Sequence, residues 1–331
     1  MKSFGRMPNG AEALIRTLAQ AGVTTCFTNP GTSEIHFVAA LDSVPEMRAI
    51  LTVFEGVATG AADGYARMTG APAATLLHLG PGLAYGLANL HNARRAKVPV
   101  VSIVGDHATY HAQHDPPLQS DIETIARNVS TWVRTSQSAD ELARDALEAI
   151  AAATGPPGQV ATLIVPADVS WQEDAAAAAP PRAPAPPAPS GEAVEAVAKA
   201  LRSGRRAGIL LGGRSLRGDG LMSAARIAAA TGAELFSERS TPRLERGAGL
   251  PAVERLAYWP ELAAKQLDGL DELILVDAKP PVAWFAYPGA KGSLAPDHGG
   301  CNRFPVRQAE HEGDGSAMGK VNMVTSSSRL R

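Results

Sequence analysis

The chain has 331 residues, 45% of them hydrophobic and 19% charged, with a formal net charge of -2. That length suits two domains of ordinary globular composition, and the near-neutral balance points to neither nucleic acid nor a basic membrane-binding face. Two cysteines, Cys26 and Cys301, form no metal or redox motif. No apolar run approaches the about 18 residues of a membrane span, and MKSFGRMPNG at the N-terminus lacks an apolar signal core, so a cytoplasmic protein is expected.

Asn9 followed by Glu12 reads as a capping box, Leu14, Ile15 and Leu18 recur at helical spacing, and Gly22 stops the helix. Val23 to Thr28 reads as a buried strand. NPGTSE follows, a turn able to open a helix through Thr32 or Ser33, with Ile35, Phe37, Val38 and Leu41 as that helix's apolar face. RAILTVF, ending at Phe54, reads as a second strand, and VFEGVATGAADGYAR (Val53 to Arg67) runs from that strand's end into a helix rich in Gly and Ala. Ala74 to Leu79 is a third strand; GPGLAYG leads into a helix through Arg95; Val98 to Gly105 is a fourth strand. Ser138 with Glu141 caps an Ala-rich helix ending near Thr154, and Gln159 to Pro166 is a fifth strand.

Strands and helices alternate, and the strands are continuous apolar runs, as in a parallel sheet covered on both faces. Ligands of such sheets sit outside the carboxyl ends of the strands. NPGTSE, Glu55, His78-Leu79-Gly80 and Gly105-Asp106-His107 all fall there, so four motifs converge on one rim. Residues 173–190, Ala/Pro-rich, read as an extended linker. Beyond it a helix from Glu192 to Leu201, a strand from Ala207, a helix from Leu216 to Gly232 and strands at AELF and Asp271 to Ala278 form a second, smaller α/β unit. The expected organisation is a first domain over 1–172, the linker, a central domain over 191–288 and an irregular tail over 289–331.

Several residues admit two readings. Glu55, a lone acid where strand becomes helix, is either a first-turn surface acid or a buried acid–base group. His78 is either a satisfied core histidine or an imidazole at the ligand rim. Gly80, Gly82 and Gly86 resemble a dinucleotide fingerprint whose third glycine comes one residue late. His107, His111 and His114 have the spacing of a zinc face on a helix, but Gly105 and the Pro116-Pro117 pair favour an irregular polar loop, and no metal ligand is assigned.

FTNPGTSE (Phe27 to Glu34), FEGVATGAADGYAR (Phe54 to Arg67), LLHLGPGLAYGLANLHNARRAKVPVVSIVGD (Leu76 to Asp106) and LQSDI (Leu118 to Ile122) occur in an order that resembles the thiamine-diphosphate enzymes of the acetolactate synthase and benzoylformate decarboxylase group. The resemblance implies two doubly wound parallel-sheet α/β domains, a pyrimidine-binding domain and a smaller Rossmann-like central one. It implies that Glu55 hydrogen-bonds the cofactor's aminopyrimidine ring and favours the tautomer that deprotonates the thiazolium carbon. The small, apolar surround of Gly56, Val57 and Ala58 is what a carboxyl that shares a proton needs. Pro30, Gly31, Gly80, Pro81 and Gly82 are implied to line the pyrimidine; Thr32, His78 and Gln119 to face a 2-oxo acid substrate, with His78 transferring a proton.

The family's third domain, which binds the diphosphate through Mg2+, is not matched. Gly313-Asp314-Gly315-Ser316-Ala317-Met318 looks like the start of its signature, but the later Asn322 is too close to complete it. The resemblance therefore implies a truncated protein, a homodimer or a partner chain carrying the diphosphate domain. The rival readings are a non-catalytic dimerising relic and a nicotinamide- or FAD-binding protein.

Overall fold

The computed structural model describes residues 8–173, 175–180, 188–295 and 300–304. It divides into two compact units, Met1–Ala185 and Pro186–Arg331. The first begins as its sequence dictates: Asn9 accepts the Glu12 N–H at 2.9 Å and opens α1 (Gly10–Gln20), and Gly22, at φ +85°, turns the chain out of it. Then follow β1 (Thr25–Asn29), a 3-10 turn (Thr32–Glu34), α2 (Ile35–Ala40), β2 (Arg48–Leu51), α3 (Glu55–Thr69), β3 (Ala73–Leu77), α4 (Leu79–Ala96), β4 (Val100–Asp106), α5 (Ile122–Arg127), β5 (Trp132–Thr135), α6 (Ala139–Thr154), β6 (Val160–Pro166) and α7 (Ala167–Trp171).

The six strands are parallel in the order β2-β1-β3-β4-β6-β5. Adjacent residues of the inner strands feed opposite cores. Leu76, Ile103 and Leu163 pack with Leu14, Leu18, Phe37 and Leu142 on the α1/α6 side; Leu77, Val104 and Ile164 pack with Ala58, Leu83 and Leu90 on the α3/α4 side. Burial on both faces explains the unbroken apolar runs. Cys26 lies wholly inside the first core, where burial pushes its thiol up to about 12.

Three local expectations change. β2 stops at Leu51, and Leu51 and Val53 are 72% and 93% exposed: RAILTVF is apolar without being core. Neither Thr32 nor Ser33 caps the turn after β1; Glu34 reaches back to the Gly31 N–H instead. Ile35 and Val38, assigned to a buried face, are exposed while Phe37 is buried. The short β5 and α5 are additions. The start of the expected linker lies along α1, with Ala175 buried and donating to the Pro8 carbonyl, and Ala178 donating to the Thr17 hydroxyl at 3.0 Å. Residues 174 and 181–187 of that linker lie outside the described residues.

The second unit comprises α8 (Gly191–Leu201), β7 (Ala207–Leu211), α9 (Gly218–Thr231), β8 (Glu234–Ser237), β9 (Glu254–Arg255), α10 (Pro260–Leu267), β10 (Glu272–Val276) and β11 (Gly300–Phe304), with parallel strands in the order β11-β10-β7-β8-β9. β11 lies in the stretch expected to be irregular, yet it pairs with β10 from Glu272↔Gly300 to Val276↔Phe304. The remainder of that tail, residues 305–331 with the Gly-Asp-Gly segment, lies outside the described residues.

In the first unit α3 packs closely on α4 through small residues. The Thr59 hydroxyl donates to the Gly86 carbonyl at 3.0 Å and Asn89 Nδ2 to the Gly56 carbonyl at 2.8 Å. A Cβ on Gly86 would stand 2.9 Å from the Thr59 methyl. Gly86→Val is expected to lower unfolding free energy by about 1–3 kcal/mol, whereas Gly64→Ala, with nothing near its Cβ position, gains up to about 1 kcal/mol from helix propensity; urea denaturation checks both. Native Cys26 is expected to resist iodoacetamide at pH 8.5 until the protein unfolds, read by peptide mass spectrometry.

Candidate active site

The strand order of the first unit reverses between β1 and β3, and a ligand crevice is expected outside the carboxyl ends of those two strands. Asn29 is paired with Leu77 at that end, so the segments that continue from them, Pro30-Gly31-Thr32 and His78-Leu79-Gly80, leave the sheet side by side. Leu79, buried and branched, is held at φ +53°, a conformation that costs energy for such a residue; it turns the chain from His78 directly into α4.

His78 does not stand alone. Its Nδ1 lies 2.7 Å from Glu34 Oε2, and the same oxygen accepts the Gly31 N–H at 2.7 Å. The Glu34 side chain is 1% exposed and that of His78 24%. With the carboxylate at Nδ1, the Nδ1–H tautomer is favoured and Nε2 is left as the working nitrogen. Two glycines make room for the pair. A Cβ on Gly31 would stand 2.3 Å from the His78 ring, and one on Gly105, at the end of β4, would stand 1.7 Å from Glu34 Oε1. Glu34 Oε1 is buried without a hydrogen-bond partner and borders a cavity of about 10 Å³, lined by Ser33, Phe37, Leu76 and Ile103 among others, enough for one water molecule.

Glu55 is the first residue of α3 and only 7% exposed, so the surface reading of this acid does not hold. The positive end of the helix dipole favours a carboxylate there. Opposite it is Gly82 in the first turn of α4, where a Cβ would come to 3.1 Å from Glu55 Oε1. The loop after β4 closes on the same turn: a Cβ on Gly80 would stand 2.3 Å from Ser120 Oγ. Gln119, beside Ser120, has a buried Oε1 with no partner. Thr28 Oγ1 near the end of β1 and His107 Nε2 just after β4 are buried and unpartnered as well. Buried polar atoms are normally satisfied, so four such atoms near one sheet edge, Glu34 Oε1 included, mark a place built for polar occupants.

Of the three spaced glycines, Gly86 meets Thr59 and serves the packing of α4 on α3, while Gly80 and Gly82 meet Ser120 and Glu55 at the rim. The His107, His111 and His114 rings lie 5.8 and 5.9 Å apart in sequence, on a loop tied down by Asp168, which accepts from the Thr109 N–H at 3.0 Å and hydroxyl at 2.5 Å. Among the described residues no group of three or more His, Cys, Asp or Glu could hold a metal. Asp106 is raised above the usual carboxylate range by burial, against the opposing pull of the His107 N–H. Glu34 is the residue that the sequence analysis left without a role; its signal was an acid three residues after Gly31, the spacing of a reach-back cap.

Residues 8–126 match the family described as "Thiamine pyrophosphate enzyme, N-terminal TPP binding domain". The match lies within the first of the two units and is to that family's N-terminal domain. It is 60% identical over 288 residues to the "Putative acetolactate synthase large subunit IlvX" of Mycobacterium tuberculosis, covering 87% of this chain and 55% of that protein. It is 31% identical over 161 residues to the benzoylformate decarboxylase of Pseudomonas aeruginosa, covering 48% of this chain and 30% of that one. The solved thiamine diphosphate-dependent 4-hydroxybenzoylformate decarboxylase of Rhodococcus jostii RHA1 superposes with a TM-score of 0.71 at 24% identity, covering 88% of this chain and 55% of that one. The chain thus spans about half the length, or less, of these relatives. The rim suits the pyrimidine half of thiamine diphosphate: a buried carboxylate at a helix N-terminus, a glycine turn against it and unsatisfied polar atoms near the strand ends.

Glu34→Ala is expected to cost about 1–3 kcal/mol of stability, since it strips the Gly31 N–H and His78 of their shared acceptor. Glu34→Gln, which keeps the shape, recovers part of that loss; urea unfolding of the two variants makes the comparison.

Proposed function

We propose that the first unit provides the pyrimidine-binding half of a thiamine-diphosphate site for decarboxylation or carboligation of a 2-oxo acid, the diphosphate being held by a separate half-site. The observation that carries the reading is the buried Glu55 carboxyl set against Gly82. With the cofactor bound, Glu55 would share a proton with a ring nitrogen of the aminopyrimidine, and Pro30, Gly31, Gly80, Pro81 and Gly82 would line the ring. When bound, thiamine diphosphate supplies the electron sink for breaking the bond to the substrate carboxylate. Thr32 and Gln119 offer polar groups to the 2-oxo acid. His78 gives or takes a proton through Nε2, with Glu34 holding the ring in its orientation. The names of the mycobacterial and pseudomonad relatives support this substrate class.

An exposed apolar face is the second support. Leu51, Val53, Phe54, Val57 and Tyr85 are 72%, 93%, 45%, 53% and 61% exposed on residues in and around the N-terminal ends of α3 and α4, and the Phe54 and Tyr85 rings lie 5.6 Å apart. Exposed apolar residues in such a group mark an interaction surface. The same patch also supports the second reading, a non-catalytic partner that dimerises through this face.

Calorimetric titration of the purified chain with thiamine diphosphate separates the outcomes. Binding is expected with a Kd above ~100 µM, unaffected by magnesium, and about tenfold weaker in Glu55→Ala. No pyruvate is expected to be consumed by the chain alone. Micromolar, magnesium-dependent binding, or CO2 or acetolactate formed from pyruvate by the purified chain, contradicts the half-site.

A further inference from the structure

The second unit has the strand order of a dinucleotide-binding fold: β9-β8-β7-β10-β11 reverses between β7 and β10, and Gly212-Gly213 follow its first strand. Such folds hold a pyrophosphate on free backbone amides, in the glycine loop after that strand and at the N-terminus of the next helix. In this chain those amides already have anionic partners. The Arg214 N–H donates to Asp277 Oδ2 at 2.8 Å, and the N–H of Gly218, the first residue of α9, donates to Glu245 Oε2 at 2.7 Å. A third carboxylate, Glu238 after β8, accepts the Lys279 N–H at 2.6 Å.

The glycines leave no space for a phosphate either. A Cβ on Gly213 would stand 1.9 Å from Asp277 Oδ2, and one on Gly212 would stand 2.4 Å from the Asp277 carbonyl and 2.7 Å from Glu238 Oε2. The close approach that a dinucleotide fold reserves for its ligand is used here by the protein's own acids. Asp277 is held at φ +53°, which turns its carboxylate back over the loop, and Glu245 is held by Arg243 at 3.4 Å and Arg217 at 3.7 Å. A diphosphate entering this crevice would meet three carboxylates instead of open N–H groups, and like charges at such range repel strongly in a partly buried site.

We infer that the nucleotide crevice of the second unit is closed from within: the carboxylates of Asp277 and Glu245 stand where two phosphate groups would bind, and the unit takes no flavin or nicotinamide dinucleotide. The residues present therefore do not fit FAD, and the reading of this fold as a dinucleotide carrier is set aside. The inference is independent of the proposed role of the first unit.

The test is to open the crevice in the full chain. Asp277→Gly removes the whole side chain at a position where Gly tolerates positive φ. Inorganic phosphate is titrated against wild type and variant by thermal unfolding, and FAD against wild type by flavin fluorescence. Wild type is expected to leave FAD fluorescence unquenched, and the variant to bind phosphate at least ~10-fold more tightly than wild type, because a vacated amide site recruits the anion. Glu245→Ala, which frees the Gly218 N–H at the α9 terminus by the same logic, carries the test where Asp277→Gly does not fold. Quenching of FAD by wild type, or a folded variant as indifferent to phosphate as wild type, overturns the inference.

Discussion

The close contact of α3 with α4 is the constraint on which the candidate site depends. Glu55 is buried because Gly82 has no side chain to displace it, and the two helices can approach because Gly60 on α3 faces Asn89 and Gly86 on α4 faces Thr59. Side chain–backbone hydrogen bonds lock that approach, from Thr59 to the Gly86 carbonyl and from Asn89 to the Gly56 carbonyl. A bulky residue at any of these positions would separate the helices and expose the carboxyl to water. Gly costs helix stability at interior positions, and Gly60, Gly82 and Gly86 are a cost accepted for proximity.

The polar side of the rim follows a second constraint. Glu34 is an acid within the sheet's cover, and it is tolerable there because it binds both the Gly31 amide and His78. The pair joins the two strands that flank the reversal of strand order, so the loop after β1 and the turn after β3 are set by one carboxylate oxygen. The strained backbone of Leu79 next to it fits a segment whose geometry is imposed by the site.

Much of this was legible in the sequence because burial on both faces writes an unambiguous pattern. The inner strands β1, β3, β4 and β6, the caps at Asn9 and Ser138, and the placement of Pro30, Glu55, His78 and Asp106 at strand ends all follow from apolar runs and their punctuation. RAILTVF misled on length, since its apolar residues beyond Leu51, Val53 and Phe54, are exposed. β5, β9 and β11 are short edge strands with no two-sided run to announce them. Glu34 escaped notice because a buried acid in a turn has no periodic signature; only its spacing from Gly31 hinted at it. In the second unit, the glycines and the strand order are those of a dinucleotide-binding fold, while the residues that close its crevice, Glu245 and Asp277, lie about 30 and 60 residues downstream of the loop and meet it only in the fold.

Hydrogen–deuterium exchange of the full chain, with and without saturating thiamine diphosphate, tests the central claim most directly. The account predicts slowed exchange in three segments of the first unit, residues 30–34, 55–60 and 78–83, with the second unit unchanged. Protection absent from those segments, or concentrated after β7 and β10, would contradict it.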